Sequence, residues 1–390
     1  MSTPTLERAL AALARRPTET LALAEKLVLI NSFTENIAGV NDVAAILDRA
    51  FAPLSLTLTR IASTRFGNHL VWKTAAASKV APIVIIGHHD TVFPPGVFEG
   101  WRVDGDRAFG PGVLDMKGGL AVVWAALAAL DDAGLLVSLP IVFVTVADEE
   151  VGSPDSAPHI KNLARGAIAG LVFESGRAGD AIVTRRRGTG GLIATATGKA
   201  AHAGNAHADG ANAIWALSRF VDAAQRETDY ARDVTVNVGT IAGGTSKNTV
   251  PAHASCVVDL RFDTARDANA LIAALSEAAR LATRDVPGTT IALDGGVRRK
   301  PLERTPESAS LFAEYAAHQS AAGLGDTESP LVGGGSDANT LGEIGIPVID
   351  GLGPRGDGFH TPQEFAEISS FAPKAEALVR FLCGRLKTSE

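Results

Sequence analysis

Three short apolar runs, each stopping abruptly at histidine or acid, constrain this chain more than any other feature. Residues 82–87 (PIVIIG) end at His88-His89-Asp90, residues 141–147 end at Asp148-Glu149-Glu150, and residues 171–173 run straight into Glu174. Continuous apolar runs of this kind suit strands buried on both faces of a parallel sheet. The spacing predicts helices over 5–29, 38–53 and 117–130, with further strands at 56–61 and 69–73. In open α/β sheets ligands bind in the crevice outside the carboxyl ends of the strands. Polar residues at three successive strand ends therefore mark one candidate site.

The middle of the chain reads differently. A strand at 190–198, a helix at 209–227, strands at 234–241 and 254–262, a helix at 266–284 and a strand at 288–294 give the order β-α-β-β-α-β. That order is the ferredoxin-like signature. Along the strand at 255–262, Cys256, Val258, Leu260 and Phe262 share one face, so Val257, Asp259 and Arg261 share the other. Helical periodicity and Gly-rich turns return after residue 300, ending in a helix over 364–387. The fold class expected is α/β: a domain with a central mixed sheet flanked by helices, formed by 1–187 and 297–390, interrupted by an inserted ferredoxin-like domain at 188–296.

Composition narrows the function. With 390 residues, 46% hydrophobic and 20% charged, the chain has the apolar mass for a large core, which excludes disorder and fibrous repeats. A net charge of −7 argues against a nucleic-acid partner, which calls for a basic face. Two cysteines, Cys256 and Cys383, cannot staple a chain of this length. Glu7, Arg8, Arg15 and Arg16 interrupt the apolar core a signal peptide needs, and the apolar run 120–130 is too short to span a bilayer. The expectation is a cytoplasmic protein without a membrane partner.

Taken singly, the polar candidates have bland readings. His69, His89, His159 and His318 read as surface or core histidines. The stretch 351–356 (GLGPRG) matches G-x-G-x-x-G, but Pro354 lies inside it and no strand–turn–helix unit surrounds it. Arg185-Arg186-Arg187 reads as a solvated edge. The constellation is different. His88-x-Asp90 follows one buried strand, Asp115 opens a helix after Gly110-Pro-Gly112, Glu149-Glu150 and Glu174 follow two more strands, and His360 sits in GFHT. Two histidines with several carboxylates suit zinc, cobalt or manganese rather than copper or an iron–sulfur cluster. Asp90, two residues past His88, is placed to accept the imidazole's second N–H and fix its tautomer. Asp115, with two carboxylate oxygens, can bridge two ions, and Glu149 beside Glu150 can divide ligation from proton handling.

GHHDTVFP, GPGVLDMKGGL, ADEEVGS, VFES, GKAAHAG, GGTSKNTVP, VVDLRF, GGGSDANT and GFHT occur in that order between about residues 85 and 365. Together they resemble the glutamate carboxypeptidase (carboxypeptidase G type) branch of the di-zinc aminoacylase/carboxypeptidase family. The resemblance implies a zinc-peptidase-like catalytic domain with an inserted lid and dimerisation domain, and two divalent metals per chain, zinc before cobalt or manganese. It implies that His88 and Glu174 complete the shell of one metal, that Glu150 and His360 hold the other, and that Asp115 bridges them, with a cis peptide after it. Glu149 would be the general base. His202 would stabilise the oxyanion from a partner subunit of a homodimer, and Asn248 and Arg261 would hold the substrate's free carboxylate. The bland alternatives are a surface or capping histidine for His202 and an ion pair with Asp259 for Arg261. Ser175-Gly176 is a departure, since relatives often carry proline or threonine there. The activity implied is hydrolysis of an amide next to a free carboxylate, releasing a C-terminal amino acid. A deacylase of small N-acyl amino acids, like acetylornithine deacetylase or succinyl-diaminopimelate desuccinylase, is the alternative. A non-catalytic N-acyl amino acid binder fits less well, because Glu149 and all five ligand positions are present.

Overall fold

The structure is a computed structural model that describes residues 3–386; Met1, Ser2 and 387–390, which include the predicted end of the last helix, lie outside the described residues. The chain forms two compact units, one of Met1–Arg185, Arg304–Leu331 and Ser336–Glu390, the other of Arg186–Glu303 with Val332–Gly335.

The first unit is built on a six-stranded mixed sheet. Its strands run in the order Thr57–Ile61, His69–Lys73, Ile141–Val146, Ile83–His88, Ala169–Val172, Val348–Ile349. The last four are mutually parallel and the first two join antiparallel. Every residue of Ile83–His88 and Ile141–Val146 is buried, as a continuous apolar run requires. The helix Gly118–Asp132 is also buried almost all round and packs against Thr3–Leu13, Pro17–Val28 and Ile368–Gly384. The segment Val113–Asp132 has the length and mean hydropathy (1.6) of a membrane span, but 94% of it lies inside the fold. Phe51, Trp72 and Phe143 form an aromatic knot with ring centroids 4.8–5.2 Å apart.

Three helix predictions shift, the one over 209–227 shortening to Ala213–Gln225, where the Asn212 side chain caps the start. The single helix expected over 5–29 is two, Thr3–Leu13 and Pro17–Val28. Pro17 cannot donate to the preceding turn and disfavours a helical Arg16, which sits at φ −107° and ψ 0°. The final helix starts at Ile368 rather than 364, because Phe365–Glu367 pairs as a strand with Arg107–Phe109.

The second unit has the antiparallel strand order Thr235–Gly243, His253–Phe262, Gly188–Thr197, Thr290–Arg299. Helices Ala213–Gln225 and Ala265–Asp285 close its core, giving the ferredoxin-like arrangement. Cys256, Val258, Leu260 and Phe262 face that core, while Val257 pairs with Ile193 on the opposite face, where both are nearly half exposed. The last strand runs on to Arg299, past the predicted stop at 294. Gly295 and Gly296, just past that stop, stay in register at φ 121° and 148°.

Candidate metal centre

The register of the central strands assembles the site. His88 pairs with Val146 and Ile86 with Val172, so Glu174, two residues on, ends level with His88, and Glu149-Glu150 begin three residues past Val146. Asp115 reaches the same edge on the turn Val113–Lys117, which feeds the buried helix at Gly118. The Asp115–Met116 peptide is cis. Gly119 lets this turn approach the sheet, since a Cβ there would lie 2.1 Å from the Phe173 carbonyl oxygen.

Asp115 lies between the two histidines. Its Oδ1 is 3.3 Å from His88 Nε2 and its Oδ2 is 3.3 Å from His360 Nε2. Glu174 Oε1 is 3.7 Å from His88 Nε2, and Glu150 Oε2 is 3.3 Å from His360 Nε2. All five predicted ligands are therefore brought together. Two ligand atoms on one tetrahedral ion, each about 2.0–2.1 Å from it, stand about 3.3 Å apart. The donor spacing fits a pair of such ions sharing Asp115. Glu150 Oε1, buried without a hydrogen-bond partner, is a further atom an ion would satisfy. Glu149 shares the cluster, with one oxygen within 4.8 Å of donor atoms of both His88 and Glu174.

The protonation pattern reflects crowded negative charge. Burial would hold His88 neutral, but Glu174, Asp115 and Asp90 push its pKa well above the usual imidazole range. Hydrogen bonds to Asp115 and Glu150 push His360 up to about 10. Burial, then the Asp115 charge, lifts Glu150 to about 8 and Glu174 well above the usual carboxylate range. Asp115 goes the other way: burial opposes its charge, but hydrogen bonds from His360 and His88 hold it far below the ordinary value. The cluster thus draws in positive charge, the role cations would fill.

Asp90 meets the second ring nitrogen of His88 chiefly through its backbone. His88 Nδ1 is 3.0 Å from the backbone carbonyl of Asp90, while the carboxylate Oδ1 is 3.4 Å away. The buried carboxylate is mainly occupied by Thr34 Oγ1 and by the backbone N–H groups of Glu149 and Glu150 at 2.8, 3.3 and 3.2 Å. Asp90 therefore fixes the 149–150 turn as well as the imidazole.

The second unit carries the other three predicted residues. His202 is exposed, and Ala201–His202 pairs with Thr249–Val250 beside Asn248, also exposed. His202 Nδ1 accepts from the backbone N–H groups of Gly204 and Asn205, both at 3.1 Å, which leaves the ring proton on Nε2. Arg261 makes the ion pair with Asp259, Nε to Oδ2 at 2.9 Å and Nη2 to Oδ1 at 3.1 Å. Of the histidines read as structural, His69 pairs with Asp155 and His89 with Thr145. Arg186 donates to the Gly334 carbonyl and Arg187 pairs with Asp233 within this unit.

Sequence reasoning missed two residues. Lys117 is fully buried, donates to the Ile30 carbonyl at 2.9 Å, and is lowered by burial to about 7. Glu364 is fully buried beneath Asp115 and raised by burial to about 7. Its only sequence signal is an acid four residues past His360.

Residues 84–383 match Peptidase family M20/M25/M40. Carboxypeptidase G2 of Pseudomonas sp. (strain RS-16) is 31% identical over 92% of this chain and 87% of its own length. Succinyl-diaminopimelate desuccinylase of Thioalkalivibrio sulfidiphilus is 25% identical over 95% of this chain and 98% of its own. The fold is shared with the solved Bacillus subtilis YXEP protein, a dinuclear metal-binding peptidase (TM-score 0.72, 14% identity, 96% of this chain and 99% of that one). Motif order, donor geometry and these likenesses agree, and the chain belongs to peptidase family M20/M25/M40.

Proposed function

We propose that this chain hydrolyses an amide next to a free carboxylate, releasing a C-terminal amino acid, with two divalent ions, zinc first among them. The observation that carries this reading is Asp115, whose two oxygens each stand 3.3 Å from a different histidine, His88 at a strand end and His360 on a turn. His88 and Glu174 would complete one ion's shell, and Glu150 and His360 the other's. When bound, such ions polarise an amide carbonyl and make water acidic enough to ionise near neutral pH.

The chain's own groups supply the rest. Glu149 takes the proton of the attacking water and passes it to the leaving amine nitrogen. Nε2–H of His202, contributed by a second copy in a homodimer, donates to the oxygen that becomes negative as the carbonyl carbon turns tetrahedral. Such a donor is worth about 2.7–4 kcal/mol of barrier. Arg261 and Asn248 hold the substrate carboxylate; Asp259 already takes the Nε–Nη2 side of the guanidinium, so the carboxylate meets the Nη1 side.

A second reading, deacylation of small N-acyl amino acids, is favoured by the desuccinylase likeness. A panel of N-acylated amino acids separates the two, varied first in the acyl group and then in the amino acid, with and without chelator. Turnover that tracks the C-terminal residue supports the carboxypeptidase, and turnover that tracks a small acyl group supports the deacylase. Chelator-resistant turnover, or none on any substrate, refutes both.

A further inference from the structure

We propose that Glu364 is a positioning residue: its carboxylate ties the loop bearing His360 to the backbone of Asp115, and so sets the affinity of the ion shared by Glu150, Asp115 and His360. The proposal rests on the reading that Asp115 bridges two ions.

The geometry is specific. Glu364 Oε1 accepts from the N–H groups of Leu114 and Asp115 at 2.8 and 3.0 Å, and Oε2 accepts from Gly112 at 3.1 Å. One carboxylate thus satisfies three amides of a loop about 250 residues away in sequence. Charge-assisted bonds of this kind are roughly twice as strong as neutral ones. Glu364 is joined to His360 by two tight turns, Thr361 N–H to Gly358 O at 3.0 Å and Glu364 N–H to Thr361 O at 3.1 Å. His360 itself sits at φ 62°, a conformation a side-chain-bearing residue holds only when its surroundings impose it. Its side chain is half exposed, so side-chain packing alone does little to impose it. The buried anchor four residues on supplies that constraint.

The two ions depend on this anchor unequally. His88 ends a fully buried strand, and Glu174 lies two residues past the end of the strand paired with it in register. Asp115 and His360 lie on loops, and Glu364 is what the two loops share. Loosening it should therefore cost the Glu150–His360 ion more than the His88–Glu174 ion.

The test is titration of the metal-free chain with Co2+, followed by visible absorption of the bound ion, for wild type and Glu364→Gln. Glutamine keeps the shape but turns an NH2 towards an amide N–H. One of two Co2+ equivalents should weaken about 10- to 100-fold, the usual effect of losing a ligand's supporting contact, while the other shifts less than about 3-fold. The metal-free melting temperature should be retained. If Glu364→Gln does not fold, Glu364→Asp, which withdraws the charge by one methylene, should show the same selective loss. Two wild-type-like Co2+ affinities in the variant overturn the role of Glu364, as does equal weakening of both ions with a lowered metal-free melting temperature. A wild-type chain that takes up fewer than two Co2+ overturns the bridging reading, and this inference with it.

Discussion

Glu149 and Glu150 are adjacent in sequence yet differ in surroundings. Glu150 lies 3.3 Å from His360, whereas Glu149 clusters with His88 and Glu174. If Glu149 moves protons, Glu149→Gln should retain both metals by elemental analysis while kcat falls at least about 100-fold. Metal loss in that variant, with Glu150→Gln harmless, would exchange the two roles. A second residue-scale prediction concerns Lys374, buried 3.3 Å from Asp180, which also pairs with Arg355 at 2.8 Å. Burial lowers the Lys374 pKa to about 8, with Asp180 partly opposing. An unfolded lysine titrates near 10.4, so between about pH 8 and 10.4 the unfolded chain binds more protons and stability rises with pH. The melting temperature of wild type relative to Lys374→Met should climb from pH 8 to pH 10; a constant difference would mean the lysine is not destabilised by burial. At this scale the convergence of the five proposed donors with Glu149 was legible because each stands at the end of an apolar run or in a Gly-rich turn. Glu364 was not, because its partners are backbone amides of a distant loop, which leave no trace in side-chain pattern. The Arg261–Asp259 pair, expected only as an alternative to substrate binding and across strands, forms instead between residues two apart on one strand.

Elements were legible where one force dominated. The buried parallel strands announced themselves because both faces are apolar. The break at Arg16-Pro17 hid inside an uninterrupted helical period, since proline at the first position of a helix leaves the apolar stripe intact. The strand through Gly295 and Gly296 hid because glycine signals turns more often than extended backbone at positive φ. The start of the Gly118–Asp132 helix gives a sharp test. A methyl at Gly119 would meet the Phe173 carbonyl at 2.1 Å, and backbone cannot swing aside as a long side chain does. Gly119→Ala should destabilise by about 1–3 kcal/mol, measured by denaturant unfolding, as overpacked cores do. A variant as stable as wild type would show that the helix can slide away from the strand end without cost.

At the scale of the whole chain, two hydrophobic clusters correspond to two compact units, and the proposed chemistry draws on both. If His202 serves a second copy's metal site, a His202→Ala chain and a Glu149→Ala chain, each inactive alone, should complement when co-expressed. Random pairing makes half the dimers mixed, each with one intact site of two, so activity should return to roughly a quarter of wild type. Background activity with mixed dimers demonstrated would assign His202 to its own chain. The division of the first unit into segments before and after the insert also has a consequence for biosynthesis. His88, Asp115, Glu150 and Glu174 leave the ribosome together, whereas His360 follows only after the entire ferredoxin-like unit and the edge strand Val348–Ile349. A nascent chain paused anywhere between residues 175 and 359 carries every proposed donor of one ion and an unfinished shell for the other. In the proposed two-ion site, the shell that includes His360 can therefore be completed only when the polypeptide is nearly finished.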